Sequence, residues 1–198
     1  MSAGVWHCLR DQQQGDFFMA TGTGLSDSFI SFIKRQPIFF VATAAADGRV
    51  NMSPKGLDTL RVVGPNRIVW LSLSGSGNET AAHLREQNRM TLIFCAFDGD
   101  ALILRTYGTA STLHPRDAGW DELARLFPAM AGSRQIFDMT IDLVQTSCGT
   151  GVPVMAYQGQ RGPDELLPFY EKMGPDGVQR YWARKNALSI DGKNTGTV

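Results

Sequence analysis

At 198 residues, 43% of them hydrophobic, the chain is long enough to bury a real core and favours one domain over several. Lys+Arg and Asp+Glu each number 19, so the net charge is zero, and without a basic cluster no nucleic-acid partner is expected. The longest apolar runs, such as Ile38–Ala42, fall far short of the ~20 residues a membrane-spanning helix needs, and no secretory leader pattern is visible.

Cys8, Cys95 and Cys148 are odd in number and far apart, with no CxxC pair and no His at metal-ligand spacing. No metal is therefore expected, and a reducing, cytoplasmic setting is. Cys95 lies in the apolar run Met90–Phe97 and reads as a small buried thiol. Residues 1–24, with their Gln12–Gln14 run and scattered apolar positions, read as a flexible N-terminal arm. Residues 25–198 read as a single domain with a helical tail.

The domain opens with a helix. Ser26 is the expected N-cap, Leu25 and Ile30 stand at the staple positions around it, and Pro37 enforces the stop. A hairpin follows, Ile38–Ala45 and Arg49–Lys55, about an Asp47–Gly48 turn for which positive φ is expected at both positions. Leu60–Val63 and Ile68–Leu73 make a second hairpin. The turn Ser74–Gly77 leads into a short helix, Asn78–Gln87. Strands are predicted over Met90–Phe97, Ala101–Thr112 and Gln135–Gln145, with a helix over Pro115–Leu126. From Pro163 onward come two short helical patterns divided by Gly174–Pro175. Antiparallel strands joined by short turns, with helices that interrupt rather than alternate, argue for a small barrel with accessory helices and against a doubly wound parallel sheet. A barrel of this size fills its own interior, so a large planar ligand would bind outside it.

Two stretches carry chemistry. In the first, a strand ends in a glycine-rich turn that feeds a helix N-terminus, which offers free N–H groups and the positive end of the helix dipole to an anion. Ser74, Ser76, Asn78 and Thr80 add donors around Gly77. The plainer alternative is an Asn78 cap after a flexible turn. The second stretch is Asn51–Gly56, where Pro54 is expected to end or bulge the strand while Ser53 and Lys55 present a hydroxyl and a cation. Its plainer alternative is an edge-strand terminus with a solvated lysine. His7, His83 and His114 form no catalytic constellation, no nucleophile elbow is present, and no catalytic residue can be named.

Taken in order, Phe39–Thr43, Asp47–Gly48, Asn51–Gly56, Gly77–Leu84 and Arg89–Phe94 resemble the pyridoxamine 5'-phosphate oxidase-like superfamily of FMN-binding split barrels. The resemblance implies a mainly β (α+β) fold, a six-stranded antiparallel split β-barrel of FMN-binding type, assembled as a homodimer. It implies FMN with its phosphate near Ser53, Lys55, Asn78 and Thr80. The ring would lie along Ser72–Ser74 and the end of the strand at Gly56, beside Gly77, with the partner subunit closing the other side. The chain departs from the oxidases at Asn78–Glu79–Thr80, where they place Ser-Arg-Lys, and it lacks a clear counterpart of their C-terminal substrate motif. Phosphate holding would then rest on backbone N–H groups and Lys55, with Glu79 turned away. Cys148 stands in a glycine-rich turn, where a redox-active thiol and a plain small residue are the two readings.

The functional expectation is an FMN-dependent oxidoreductase acting with a small-molecule substrate or electron donor. The alternatives are a non-catalytic module carrying or sensing flavin, deazaflavin or haem, and a barrel that serves as an interaction domain without cofactor. Fold resemblance alone does not separate them.

Overall fold

The computed structural model describes residues 7–8 and 20–198. The first helix, α1 (Asp27–Arg35), begins as its sequence dictates: Ser26 Oγ accepts the Phe29 N–H at 3.3 Å, and Lys34 and Arg35 occupy the last turn. Phe32 and Ile33 are buried, with Phe29 and Ile30 packed at the margin of the same core.

The strands are β1 (His7–Cys8), β2 (Ala20–Gly22), β3 (Phe39–Thr43), β4 (Asn51–Lys55), β5 (Leu60–Gly64), β6 (Arg67–Leu73), β7 (Arg89–Cys95), β8 (Ile103–Leu113) and β9 (Ser133–Ser147). They form one antiparallel sheet in the order β1-β2-β9-β8-β7-β3-β4, with β6 on β9 and β5 on β6. The fold is the split β-barrel expected, with nine hydrogen-bonded strands among the described residues. The additional pairing comes partly from the segment assigned to the arm, whose Ala20–Gly22 joins β9; most of residues 1–24 lies outside the described residues. The barrel interior is filled by Phe39, Val41, Trp70, Leu92, Phe94, Leu104, Phe137 and Met139 among others. Trp70 stacks on Phe137 at 4.4 Å between ring centroids.

β9 is the spine. It pairs with β8 along one edge, and with β6 and then β2 along the other. Its register with β8 shifts between Tyr107 and Gly108. At Gly108 the Thr140 carbonyl approaches so closely that no Cβ fits, which explains glycine inside a strand. β6 is buried on both faces, because Val69 and Leu71 pack outward against Leu123 and Phe127, on and just beyond the short helix α3 (Trp120–Ala124).

Three local expectations are corrected. Pro54 neither ends nor bulges β4: it pairs in register with Phe40, and is tolerated because β4 is an edge strand bonded, among the described residues, to β3 alone. The β3–β4 connection spans residues 44–50, and only Gly48 takes positive φ, at +88°. Ion pairs from Asp47 to Lys193 and from Arg49 to Asp191 hold this loop in place of a two-residue turn. The helix expected over Pro115–Leu126 shrinks to α3, since Gly119 adopts left-handed geometry (φ +88°) and the Asp117 carboxylate accepts the His114 N–H.

Helix α2 (Glu79–Glu86) follows the glycine-rich turn, with Asn78 and Gln87 as its caps. After a turn of π-helix at Gly162–Leu166, α4 (Leu167–Lys185) is broken at Gly174 (φ 69°) before Pro175, where the sequence divides the tail. No helix among the described residues is long and apolar enough to cross a membrane.

Candidate functional site

A cleft of about 1300 Å³ opens at the β4 edge of the barrel. All eight residues singled out from sequence line it: Ser53, Lys55 and Gly56 on one side, and Ser72, Ser74, Gly77, Asn78 and Thr80 on the other. Asn51 Nδ2 donates to Thr80 Oγ1 at 3.1 Å and ties the two sides together.

The glycine-rich turn is fixed by its acceptors. Gly75 O receives the Tyr181 hydroxyl at 3.2 Å and Asn186 Nδ2 at 2.9 Å, while Gly77 O receives Arg134 Nη1 at 3.0 Å. Ser74 Oγ donates to Gly132 O at 2.7 Å and accepts from Trp182 Nε1 at 2.6 Å. With the Gly75 and Gly77 carbonyls occupied by these partners, the N–H groups of Gly75, Ser76 and Gly77 have no acceptor among the described residues. Asn78 occupies the N-cap position yet makes no side-chain cap. Its amide is spent on Gln135 and Thr197 instead, so Asn78 is not the side-chain donor that the sequence suggests.

Two cations meet here. Lys55 is half-buried, its ammonium 5.8 Å from the Trp70 ring centroid, and it has no carboxylate partner among the described residues. Burial, reinforced by the charge of Arg134, pushes its pKa down to about 8. Arg134, on β9, is buried, and desolvation lowers its pKa to about 10 against the opposing pull of Tyr170 and Tyr181. Beyond its bonds to Gly77 O and Ser72 Oγ, its Nε is buried without a partner among the described residues. Glu79 is not turned away as expected: it lines the cleft with Oε1 3.0 Å from where a Gly77 Cβ would stand, while its Oε2 accepts the Ile190 N–H at 3.0 Å.

Arg134 escaped the sequence reading, being 57 residues from Gly77 in a strand whose alternation marks only sheet faces. The far wall was missed as well. Residues Met155–Gly162, with Glu165, Leu166 and Phe169, line the cleft from the same chain. They are fastened by Met155 N–H to Phe97 O at 2.8 Å and by Gln160 Nε2 to Pro37 O at 3.0 Å. The lining contains neither His nor Cys. His83 is buried on α2 within 3.1 Å of Thr43 Oγ1, and Cys148 lies in its turn 3.4 Å from Thr150 Oγ1, which lowers its thiol pKa.

Split barrel and cleft together place the residues singled out from sequence at the barrel's outer edge. The chain belongs to the pyridoxamine 5'-phosphate oxidase family, whose model matches residues 25–148. It is 39% identical over 137 residues to the pyridoxamine 5'-phosphate oxidase family protein ustO of Aspergillus flavus. That alignment takes in 66% of this chain and 55% of the relative, so the chain spans about half the length of the curated protein it matches. Among solved structures it is similar to HupZ of Group A Streptococcus (16% identity, TM-score 0.49, 60% of this chain and 91% of that one). An FMN-binding protein from Syntrophomonas wolfei aligns at 16% identity and TM-score 0.42, over 59% of this chain and 82% of that one.

Proposed function

We propose that the cleft binds FMN and that the protein is a flavin-dependent oxidoreductase of this family, working in the cytoplasm on a small-molecule substrate or electron donor. The observation that carries the reading is the meeting of Lys55 and Arg134, neither neutralised by a carboxylate among the described residues, with the open N–H groups of the glycine-rich turn. A desolvated cation without a counter-charge is costly, and a phosphate ester supplies both the charge and the acceptors. The orphaned Arg134 Nε fits the same group. Bound flavin supplies two-electron redox chemistry.

The chain's own residues bind and orient. Lys55 and the turn N–H groups hold the phosphate, and Arg134 fixes the turn by its Gly77 bond while adding positive potential. Ser53, Gly56, Ser72 and Ser74 border the space for the ring, and the Met155–Phe169 wall limits water access. A cleft of about 1300 Å³ exceeds the usual 300–1,000 Å³ of a single ligand pocket, leaving room for a second reactant. A haem reading would have to rest on Met155 or Tyr157, since the lining among the described residues holds neither His nor Cys.

The protein also works as a homodimer in this proposal. Exposed Met155, Tyr157 and Phe169 at the cleft, with Met52 on the open β4 edge, supply apolar surface for a partner. The direct test is the absorption spectrum of the purified protein and a titration of apo-protein with FMN. Flavin absorption that NADH or NADPH bleaches supports the enzyme. A protein that takes up no flavin in either form overturns the proposal, and light scattering that finds a flavin-loaded monomer overturns the dimer.

A further inference from the structure

Asparagine is among the best N-cap residues because its side-chain oxygen accepts an N–H from the first helical turn. At the start of α2 that bond is absent. Asn78 Oδ1 instead accepts Gln135 Nε2 at 2.6 Å, and Asn78 Nδ2 donates to Thr197 Oγ1 at 2.6 Å and to Gln135 Oε1 at 3.2 Å. Thr197 lies within 3.1 Å of Thr195 Oγ1, which donates to Asn186 O at 2.6 Å. All of these side chains are buried.

The arrangement gives up a side-chain cap, and leaves the N–H groups of Glu79, Thr80 and Ala81 without acceptors among the described residues. Glu79 and Thr80 line the cleft. A second sign of a ligand stands beside them: Arg134, only 4% exposed, reaches Gly77 O and Ser72 Oγ while its Nε has no partner among the described residues. We infer that Gln135 and Thr197 are positioning residues that hold Asn78 off its own helix, reserving the α2 N-terminus for the phosphate of the ligand.

The inference rests on the FMN reading and sharpens it. It makes affinity for the phosphate depend on side chains on β9 and the segment after α4, neither of which touches the ligand. Freed from Gln135 and Thr197, Asn78 can turn to cap α2 and compete with the phosphate for the same N–H groups.

The test titrates apo-protein with FMN and riboflavin, read by flavin fluorescence, in wild type, Gln135→Met, Thr197→Val and Thr197→Ser. Wild type should prefer FMN. Gln135→Met and Thr197→Val should each weaken FMN about tenfold, with riboflavin binding unchanged, and Thr197→Ser should match wild type. Amide exchange at Glu79–Ala81 in the unliganded Gln135→Met protein should slow as Asn78 caps the helix. Unchanged FMN affinity in both variants, or equal losses for the two flavins, overturns the inference while leaving the FMN reading standing. A wild type that binds the two flavins equally overturns the phosphate site itself.

Discussion

Asn51 and Thr80 stand on different elements, yet the Asn51 amide donates to the Thr80 hydroxyl at 3.1 Å and sets the spacing between β4 and α2. The hydroxyl is the acceptor in that bond, so its own proton remains available to a ligand. Thr80→Val removes both functions. It should lower affinity for FMN about fivefold, by the worth of one neutral hydrogen bond, and Asn51→Leu, which removes only the spacing bond, should cost less. Titration of the two variants checks the order, and an Asn51→Leu loss as large as that of Thr80→Val would mean that the spacing bond, not contact of the hydroxyl with the ligand, carries the effect.

Lys55→Ala should weaken FMN far more. A charge-assisted bond contributes about 1.5–3 kcal/mol, so the expected loss is roughly ten- to hundredfold. Riboflavin, which lacks the phosphate, should bind almost as in wild type. Equal losses for both would place the lysine beside the ring or in the fold.

The depressed pKa of Lys55 makes phosphate binding pH-dependent. A bound anion favours the charged amine, so binding takes up a proton wherever free Lys55 is neutral. The FMN-to-riboflavin affinity ratio should stay level below about pH 8 and fall above it. The phosphate is already a dianion above about pH 6 and adds no change in that window. Lys55→Arg should hold the ratio level. In the unliganded protein the sign is opposite: between about pH 8 and 10.5 the unfolded chain binds the proton that folded Lys55 has lost. The lysine's contribution to stability therefore rises with pH there. A ratio that passes unchanged through pH 8 to 10 in wild type would remove Lys55 from the phosphate site.

Gly108→Ala should destabilise the barrel by about 3 kcal/mol, the upper end for overpacking, since the new methyl meets the Thr140 backbone rather than a side chain that can move. Denaturant unfolding measures it. A loss below about 1 kcal/mol would mean that the bulge between β8 and β9 slides to make room.

Much of this molecule is written locally in its sequence. Ser26 and Pro37 bound α1, the Ser74–Gly77 turn precedes α2, and Gly174–Pro175 breaks α4 at the expected place. The two stretches chosen for chemistry lie on one cleft because each is a short-range signal, a proline-bearing edge strand and a glycine-rich turn. What escaped was fixed by pairing across long separations. Arg134 becomes part of the cleft through the β6–β9 register, which sets Ser72 opposite Gln135. Asn78 is an ordinary cap candidate until Thr197, 119 residues away, takes its amide. The Asp47–Gly48 pair signals a tight hairpin, but ion pairs to Asp191 and Lys193 support a wider loop.

The reliance of β6 and β2 on β9 has a consequence for the chain as it leaves the ribosome. Synthesis at about 5–20 residues per second puts roughly 3 to 13 s between the emergence of Trp70 and that of Phe137, the ring it stacks on. Through that interval the run Ile68–Leu71, buried on both faces in the finished barrel, has no partner strand but β5. A newborn chain in this state is an open sheet edge with an apolar face, the form most prone to pair with a neighbour. Translation speed over residues 71–147, and the supply of chaperones that shield such edges, will therefore govern how much of the protein reaches its native form.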